Sequence, residues 1–152
     1  MTTVQDIYRF IDQVAPFVIQ ESWDNAGMLV GHWKRPVQKI LVTLDITPEV
    51  VYEAEKVGAD LIVAHHPILF HPAKQVTDGG MDLVGQRVLA LAERGIAAIC
   101  CHTNWDSAQG GVNYVLAKLC GLEKQQILEV SGTDEQGVPY GIGRMGTLPL
   151  PV

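Results

Sequence analysis

The sequence predicts an α/β fold, a three-layer sandwich in which helices flank a mainly parallel sheet. Between residues 39 and 122, apolar runs alternate with helical patterns in the order strand, helix, strand, helix, strand, helix. Such an alternation is typical of parallel strands joined by right-handed crossovers, with the helices on the sheet faces. Two of the apolar runs end in histidine-containing clusters, and ligands of α/β proteins gather beyond the carboxyl ends of such strands.

Cap and stop signals mark the boundaries of the predicted helices. Thr3 with Asp6 resembles a capping box, and Thr47 followed by Pro48 is typical of a helix start. Glycines end the second and third helices, because glycine readily adopts the left-handed conformation. In chain order, we predict a helix over 4–14 closed by Pro16, a strand over 39–45 buried on both faces, a helix over 48–57, a strand over 60–64, a helix over 81–94, a strand over 96–101, a helix over 112–119 and a strand over 126–130.

Composition and charge exclude several classes of protein. The 152 residues suit one domain with its own core, and 47% hydrophobic against 18% charged residues excludes a disordered chain. The net charge of -6 argues against duplex nucleic acid as a partner, because proteins that bind it usually carry a basic face. No apolar stretch approaches the ~20 residues that span a bilayer, and no secretory signal is visible, so we expect no membrane partner.

The cysteines indicate the compartment. Their number is odd, and Cys100 and Cys101 are adjacent within an apolar run. We therefore expect reduced, buried thiols in a cytoplasmic protein, and core packing rather than nucleophilic chemistry.

Two polar clusters follow neighbouring predicted strands and carry the candidate metal ligands. His65 and His66 directly follow the strand over 60–64, and His102 and Asp106 follow the strand over 96–101. Adjacent side chains diverge on an extended backbone, so we expect the first two histidines to hold different ions. Asp106 is a candidate bridging ligand, and His102 either joins one ion or supports it from outside. Two metals at such a site can clamp a phosphoryl oxygen or generate a hydroxide nucleophile.

Other polar residues leave alternatives open. Histidines at strand ends are often plain surface residues. We interpret His71 as a loop residue, and His32 has no partner in the sequence. Asp45 is either a partner for an imidazole or a turn residue, and the turn interpretation is preferred. Trp23 either fills the core or forms a wall of the cleft. Gly110-Gly111 is typical of an ordinary turn, although glycines at a helix start also expose anion-binding N–H groups.

The chain divides into two segments of different character. Residues 1–130 are predicted to form one metal-binding α/β lobe. Residues 131–152 are rich in glycine, and we expect them to start a new strand or to cross into a second lobe absent from this chain.

The predicted loop over 65–80 is long for a compact domain, and such loops are often functional.

Five segments together carry a family resemblance. They are Trp23-Asp-Asn-Ala-Gly-Met-Leu-Val-Gly31, Leu44-Asp-Ile-Thr47, Gly58-Ala-Asp-Leu-Ile-Val-Ala-His-His-Pro67, His102-Thr-Asn-Trp-Asp106 and Gly110-Gly-Val-Asn113. In this order they resemble the Nif-three-like dinuclear metal-centre family, whose members are also called type 2 GTP cyclohydrolase I. The resemblance extends over nearly the whole chain, from about Ile7 to Leu148.

The resemblance implies a two-lobed α/β fold, two divalent ions in the cleft between the lobes, and a ring-shaped homohexamer. By motif, His65 and His66 match ligands of separate ions, Asp106 matches a shared or neighbouring ligand, and His102 matches the family histidine of the same loop. Family members add a histidine and a glutamate from the second lobe, whereas no histidine follows Asp106 here. The chain therefore resembles the amino-terminal half of such a protein.

The function implied by the resemblance is that of a divalent-metal-dependent hydrolase of the GTP cyclohydrolase type. Metal-polarised water would attack C8 of a purine and open the imidazole ring, and no general base can be assigned. Imidazole and carboxylate suit zinc, iron, manganese or nickel, and the expected partner is a small-molecule substrate such as a nucleotide. A two-metal phosphoesterase and a non-catalytic metal-binding or regulatory interaction protein are the alternatives.

Overall fold

The computed structural model describes residues 1–79 and 82–149. Gly80 and Met81, at the end of the predicted loop and the start of the third predicted helix, lie outside the described residues, as do residues 150–152. The helices are α1 (Val4–Val14), α2 (Pro48–Val57), α3 (Leu83–Arg94), α4 (Thr103–Ser107) and α5 (Val112–Leu119), with a 3-10 turn at Phe17–Ile19. The strands are β1 (Gly27–Val30), β2 (Ile40–Thr43), β3 (Leu61–Ala64), β4 (Ala97–Cys100), β5 (Glu123–Thr133) and β6 (Pro139–Thr147).

The main sheet has four strands in the order β1-β4-β3-β2. The three strands β2, β3 and β4 are parallel, with Leu61 paired to both Ile40 and Ala97, and β1 runs antiparallel to β4. The predicted α/β class with a mainly parallel sheet is therefore confirmed. The sequence does not predict β1, because its apolar triplet Met28-Leu-Val30 is too short to establish a period.

The core lies on both faces of this sheet, and β3 and β4 run through its centre. Successive residues of a strand point to opposite faces, so Ile62 packs with α2 and α3 whereas Leu61 packs with α1. Leu91 of α3 is completely buried on the first face, and Ile11 of α1 is buried on the second. Helices therefore cover both faces, as a three-layer sandwich requires.

The strand β2 is an edge strand, and the prediction that residues 39–45 are buried on both faces is wrong. It pairs only with β3 in the sheet, and its side chains alternate between exposed and half-buried. Val42 exposes 78% of its surface, and Leu44 just beyond the strand is also exposed. A short apolar run does not reveal its place in a sheet, so sequence alone cannot distinguish an edge strand from a central one.

The predicted helix caps are present. Thr3 and Asp6 form a reciprocal capping box, and the Thr47 side chain accepts a hydrogen bond from Val50 N–H at 3.3 Å. Each such cap stabilises a helix by about 1 kcal/mol. The third helix starts later than predicted, because the carboxylate of Asp82 accepts bonds from the backbone N–H groups of residues 84 and 85 and thereby caps α3.

The glycine-rich end of the chain forms a hairpin with the preceding strand. The strand predicted over 126–130 extends over Glu123–Thr133, and it pairs antiparallel with β6 in a separate two-stranded sheet. A side chain at Gly141 would overlap the carbonyl oxygen of Glu129, so glycine permits the close pairing of the two strands. The expectation of a new strand is met at residues 139–147, and the crossing into a second lobe stays a prediction.

No helix within residues 1–79 and 82–149 combines the length and the apolar character that crossing a membrane requires.

The two cysteines near the end of β4 lie in the core. Cys100 and Cys101 are free and buried, as predicted, whereas Cys120 is exposed. Burial raises the pKa of the Cys100 thiol far above its ordinary value and that of Cys101 to about 12, so both are protonated packing groups.

Candidate metal centre

Three imidazoles converge beyond the carboxyl ends of β3 and β4. His65 and His66 directly follow β3, and His102 lies between β4 and α4. One ring nitrogen of each histidine lies within 4.8 Å of those of the other two, and the ring centroids are 5.0, 5.2 and 5.7 Å apart. The structure therefore brings together the three histidines that the strand pattern indicates.

The side chains of His65 and His66 do not diverge as those of an extended backbone would, and the assignment of the two rings to different ions stays a prediction. Their ring centroids lie 5.0 Å apart, with the ring planes tilted by 52°. The strand ends at Ala64 and the backbone bends at both histidines, so the alternation of an extended chain no longer applies. The thiol of Cys100 donates a hydrogen bond to the His65 carbonyl at 2.8 Å and helps to fix this bend. The two rings can therefore serve one ion or two neighbouring ions.

The ring orientation of these two histidines is fixed through their Nδ1 atoms. His65 Nδ1 lies 2.9 Å from the carbonyl oxygen of Cys101, and because a carbonyl only accepts, Nδ1 carries the proton. His66 Nδ1 lies 2.8 Å from Oδ1 of Asp45. An imidazole that donates from Nδ1 presents the lone pair of Nε2, which is the arrangement of metal-bound histidines with supporting acceptors.

Asp45 lies in the bend before Thr47, as the preferred interpretation holds, but it is also a partner of an imidazole. Its carboxylate faces His66, while the hydroxyl of Thr47 rather than Asp45 caps the next helix. The side chains of Asp45 and His66 are both about half-exposed. An exposed pair of this kind contributes little to folding stability, so its effect falls mainly on the orientation of the ring.

Asp24 holds the third histidine and is the residue that sequence reasoning missed. Its side chain is 0% exposed, and Oδ1 lies 2.9 Å from His102 Nδ1. It also accepts hydrogen bonds from the backbone N–H and hydroxyl of Thr103 and from the N–H of Asn25. Burial acts to raise the pKa of Asp24, but the bonds from Thr103 and His102 outweigh it and hold the pKa below its ordinary value. An ionised, buried carboxylate therefore keeps the proton of His102 on Nδ1.

The residues that follow His102 form the short helix α4, and His102 is its N-cap residue. The amide of Asn104 donates to the carbonyl of Ala15 at 2.8 Å, and Asn104 and Thr103 are both buried. The N–H of Asp106 donates to the carbonyl of His102 at 3.1 Å, so one helical turn places both side chains on the same side. This local fold explains the spacing of four residues between the two candidate ligands.

The carboxylate of Asp106 adjoins the histidine cluster. Its Oδ1 lies 3.8 Å from Nε2 of His65, the ring atom left free by the bond at Nδ1. Burial raises the pKa of Asp106 above its ordinary value, although the imidazoles of His65 and His102 act in the opposite direction. A cation placed nearby would stabilise the charged form of such a half-buried carboxylate.

The donor set fits a divalent cation. Each of His65, His66 and His102 has an oxygen acceptor at Nδ1, so three Nε2 lone pairs are available, and Asp106 adds a carboxylate. Imidazole with carboxylate suits zinc, iron, manganese and nickel. Within the described part of the chain, the group of ligand atoms that all lie within 4.8 Å of one another contains the three histidines and includes none of His71, His32 and Asp106.

An aromatic side chain and an apolar groove adjoin the cluster. Trp23 is 58% exposed and its ring centroid lies 6.2 Å from that of His102, so it forms a wall of the site and does not fill the core. A groove of about 800 Å³ is bounded by His65 and His66 and by apolar residues that include Val42 and Val63.

Gly110-Gly111 has a packing explanation. Gly111 is the N-cap of α5, and a side chain there would overlap the carbonyl oxygen of Trp105. Gly110 adopts a positive φ of 77°, which favours glycine in a turn. The ordinary-turn interpretation therefore accounts for both glycines.

The fold and the arrangement of histidines define a class of protein, an α/β lobe with a candidate metal site at the carboxyl edge of its parallel strands. A family model described as Duf34/NIF3 (NGG1p interacting factor 3) matches residues 2–152. The chain belongs to the DUF34/NIF3 family, which confirms the resemblance carried by its motifs.

Individual relatives agree with this assignment. A Clostridium perfringens protein named GTP cyclohydrolase 1 type 2 homolog is 38% identical over 142 residues, which cover 93% of this chain and 52% of the relative. The crystal structure of a Staphylococcus aureus hypothetical protein has a TM-score of 0.79 at 35% identity, covering 86% of this chain and 43% of that chain. A Bacillus cereus protein related to NIF3 gives 0.80 at 33% identity, covering 86% and 35%. The chain spans about half the length, or less, of the curated relatives it matches.

Proposed function

We propose that the protein is a divalent-metal-dependent hydrolase of the GTP cyclohydrolase type 2 kind, which opens the imidazole ring of a purine nucleotide. The observation that carries the proposal is the convergence of three imidazoles whose Nδ1 atoms are all held by oxygen acceptors. The names of the relatives supply the substrate class, since several are called GTP cyclohydrolase 1 type 2 homolog.

The proposed ligands are His65, His66, His102 and Asp106, and the resemblance favours two ions of zinc, iron, manganese or nickel. A bound divalent cation supplies Lewis-acid chemistry and lowers the pKa of water towards neutrality. The protein contributes orientation, because the acceptors at Nδ1 fix each ring before an ion arrives. Asp106, half-buried beside His65, provides the negative charge that an ion between the rings requires.

Three further properties belong to the same proposal. The resemblance to the family favours a homohexamer and a second lobe that adds a histidine and a glutamate to the site. The adjacent buried thiols favour a cytoplasmic location. No general base is assigned among the described residues.

A non-catalytic metal-binding or regulatory protein is the second candidate. The observation that favours it is that, among the described residues, three imidazoles converge while no general base is assigned beside Asp106, which is itself a candidate ligand. Such a protein would retain its metal and would turn over no nucleotide. A two-metal phosphoesterase would use the same ligands but would release phosphate.

Elemental analysis followed by turnover separates these candidates. We expect about two ions per purified wild-type chain and a clear loss of bound metal in Asp106→Ala. The control is Glu53→Ala, which removes an exposed carboxylate of α2 that pairs only weakly with Lys56, and its metal content should equal that of the wild type. The metal-loaded protein is then incubated with GTP. Loss of the purine absorbance without phosphate release supports ring opening, whereas phosphate release indicates a phosphoesterase and a metal-loaded but inert protein indicates the non-catalytic candidate.

A further inference from the structure

Trp23 and Phe70 form an exposed aromatic pair next to the histidine cluster. Trp23 exposes 58% of its surface and Phe70 exposes 41%. Their ring centroids lie 6.0 Å apart with planes tilted by 59°, and they lie 6.2 and 6.3 Å from the centroid of His102. Leaving this much aromatic surface in water is unfavourable, so the position of the pair calls for an explanation other than core packing.

The two rings are held in place by their chain neighbours. The side-chain amide of Asn25 donates a hydrogen bond to the carbonyl of Leu69, which joins the segment of Trp23 to the segment of Phe70. The side chain of Asp24, the residue after Trp23, is completely buried, and Ile68, two positions before Phe70, packs in the core. The aromatic pair is therefore anchored on both segments, and its exposed faces are preorganised for a ligand.

The chemistry of the aromatic pair points to a flat ligand. Phenyl and indole rings carry no charge, and only the indole N–H can donate a hydrogen bond. The planes of the two rings are tilted by 59°. A planar ligand ring that stacks on one of them therefore meets the edge of the other, and both stacking and edge-to-face contact are favourable for aromatic groups. Phosphate gains little from such surfaces, because it is recognised by cations and N–H groups.

We propose that Trp23 and Phe70 form the binding platform for the heteroaromatic base of the substrate. This inference rests on the proposed function, and it assigns the surface that selects a nucleobase-like ring beside the candidate metal centre. Trp23 and Phe70 are specificity residues in this proposal, and they take no part in the reaction itself. Stacking of one base on an aromatic side chain changes affinity by about tenfold or more.

Calorimetric titration of the manganese-loaded protein with GTP and with inorganic triphosphate tests the platform. Trp23→Leu is expected to weaken GTP binding about tenfold or more and to leave triphosphate binding and metal content unchanged. Trp23→Phe keeps an aromatic face and is expected to retain most of the affinity. Trp33→Leu is the matched control, because Trp33 is also exposed but its ring packs against Tyr8.

Several results would overturn the platform. For Trp23→Leu, they are an unchanged GTP affinity, an equal loss of affinity for GTP and for triphosphate, and a loss of metal, which would show that the ring merely shields His102. For the wild type, the contradicting result is that it binds none of the four common ribonucleoside triphosphates. Phe70→Leu repeats the test if Trp23→Leu fails to fold. The proposed hydrolase fails separately, since GTP that binds through Trp23 without ring opening would refute the reaction and retain the platform.

Discussion

The Nδ1 atom of His102 lies 2.9 Å from Oδ1 of Asp24, a carboxylate that has no exposed surface. Three further hydrogen bonds from Thr103 and Asn25 keep this carboxylate ionised in spite of its burial. A fixed negative charge at Nδ1 sets the tautomer of His102 and increases the electron density at Nε2. Of the two carboxylates that face a histidine Nδ1, that of Asp24 is buried whereas that of Asp45 is about half-exposed.

Asp24→Asn should weaken metal binding about 10- to 100-fold, which is the usual cost of removing a supporting carboxylate from a metal-bound histidine. Asparagine keeps the shape of the side chain but loses the charge that holds the proton on Nδ1. The dissociation constant of the metal, measured by competition with a chromogenic chelator, gives the result.

Asp45→Asn is the matched comparison, because Asp45 contacts His66 in the same way but is about half-exposed. Solvent screens its charge, so we expect a smaller loss of affinity than for Asp24→Asn. Equal losses in the two variants, or none in Asp24→Asn, would contradict the importance assigned to the buried carboxylate.

The sequence indicates the histidines of the site and offers Asp45 as one possible partner, but it does not indicate the role of Asp24. His65, His66 and His102 follow apolar runs, and parallel strands bring such residues to one edge of a sheet. Asp24 precedes an antiparallel strand that no pattern predicts, and its contact with His102 spans 78 positions of the chain. The sequence signal available for Asp24 is its place between Trp23 and Asn25 in a family motif.

In the fold, too, the sequence predicts local features but not those that depend on distant contacts. Capping residues such as Thr3 and Thr47 act within one helical turn, so local sequence predicts the helix starts. The edge position of β2 and the pairing of β1 with β4 depend on contacts between distant segments. At the bend, the carbonyl of His65 accepts a hydrogen bond from the thiol of Cys100, which is 35 positions away in the chain.

Leu91→Ala should reduce the free energy of unfolding by about 2–5 kcal/mol, because it opens a cavity where the side chain is completely buried between α3 and the sheet. Leu83→Ala is the control in the same helix, with 59% of its surface exposed, and we expect a change within about 0.5 kcal/mol. Chemical denaturation followed by circular dichroism measures both. Similar losses for the two variants would show that α3 does not cover the sheet in solution as it does in the structure.

Thiol labelling should distinguish Cys120 from the two core cysteines. Cys120 is exposed, whereas Cys100 and Cys101 are buried and burial raises the pKa of both thiols. A chromogenic disulfide reagent should modify one thiol per native chain and all three after unfolding, since the thiolate is the reactive form. Cys120→Ser should remove the native reaction. Rapid labelling of a second thiol in the native protein would contradict the burial of the β4 cysteines.

Asp60→Asn should reduce stability at neutral pH and lose its effect in acid. The Asp60 carboxylate accepts hydrogen bonds from the N–H groups of Gln38 and Lys39 at 2.9 and 3.2 Å, and it lies 3.6 Å from Arg35. The bond from Gln38 contributes most to holding the pKa of Asp60 below its ordinary value.

The lowered pKa of Asp60 in the folded state stabilises the protein at pH values above the unfolded pKa of about 3.9. This contribution disappears as the pH falls through the pKa of the folded state. Urea denaturation at about pH 7 should show a difference of about 1 kcal/mol between wild type and variant, and the difference should shrink as the pH falls from about 3.9 through the lower pKa of the folded state. A difference that stays constant between these pH values would mean that the charge of Asp60 contributes nothing to stability.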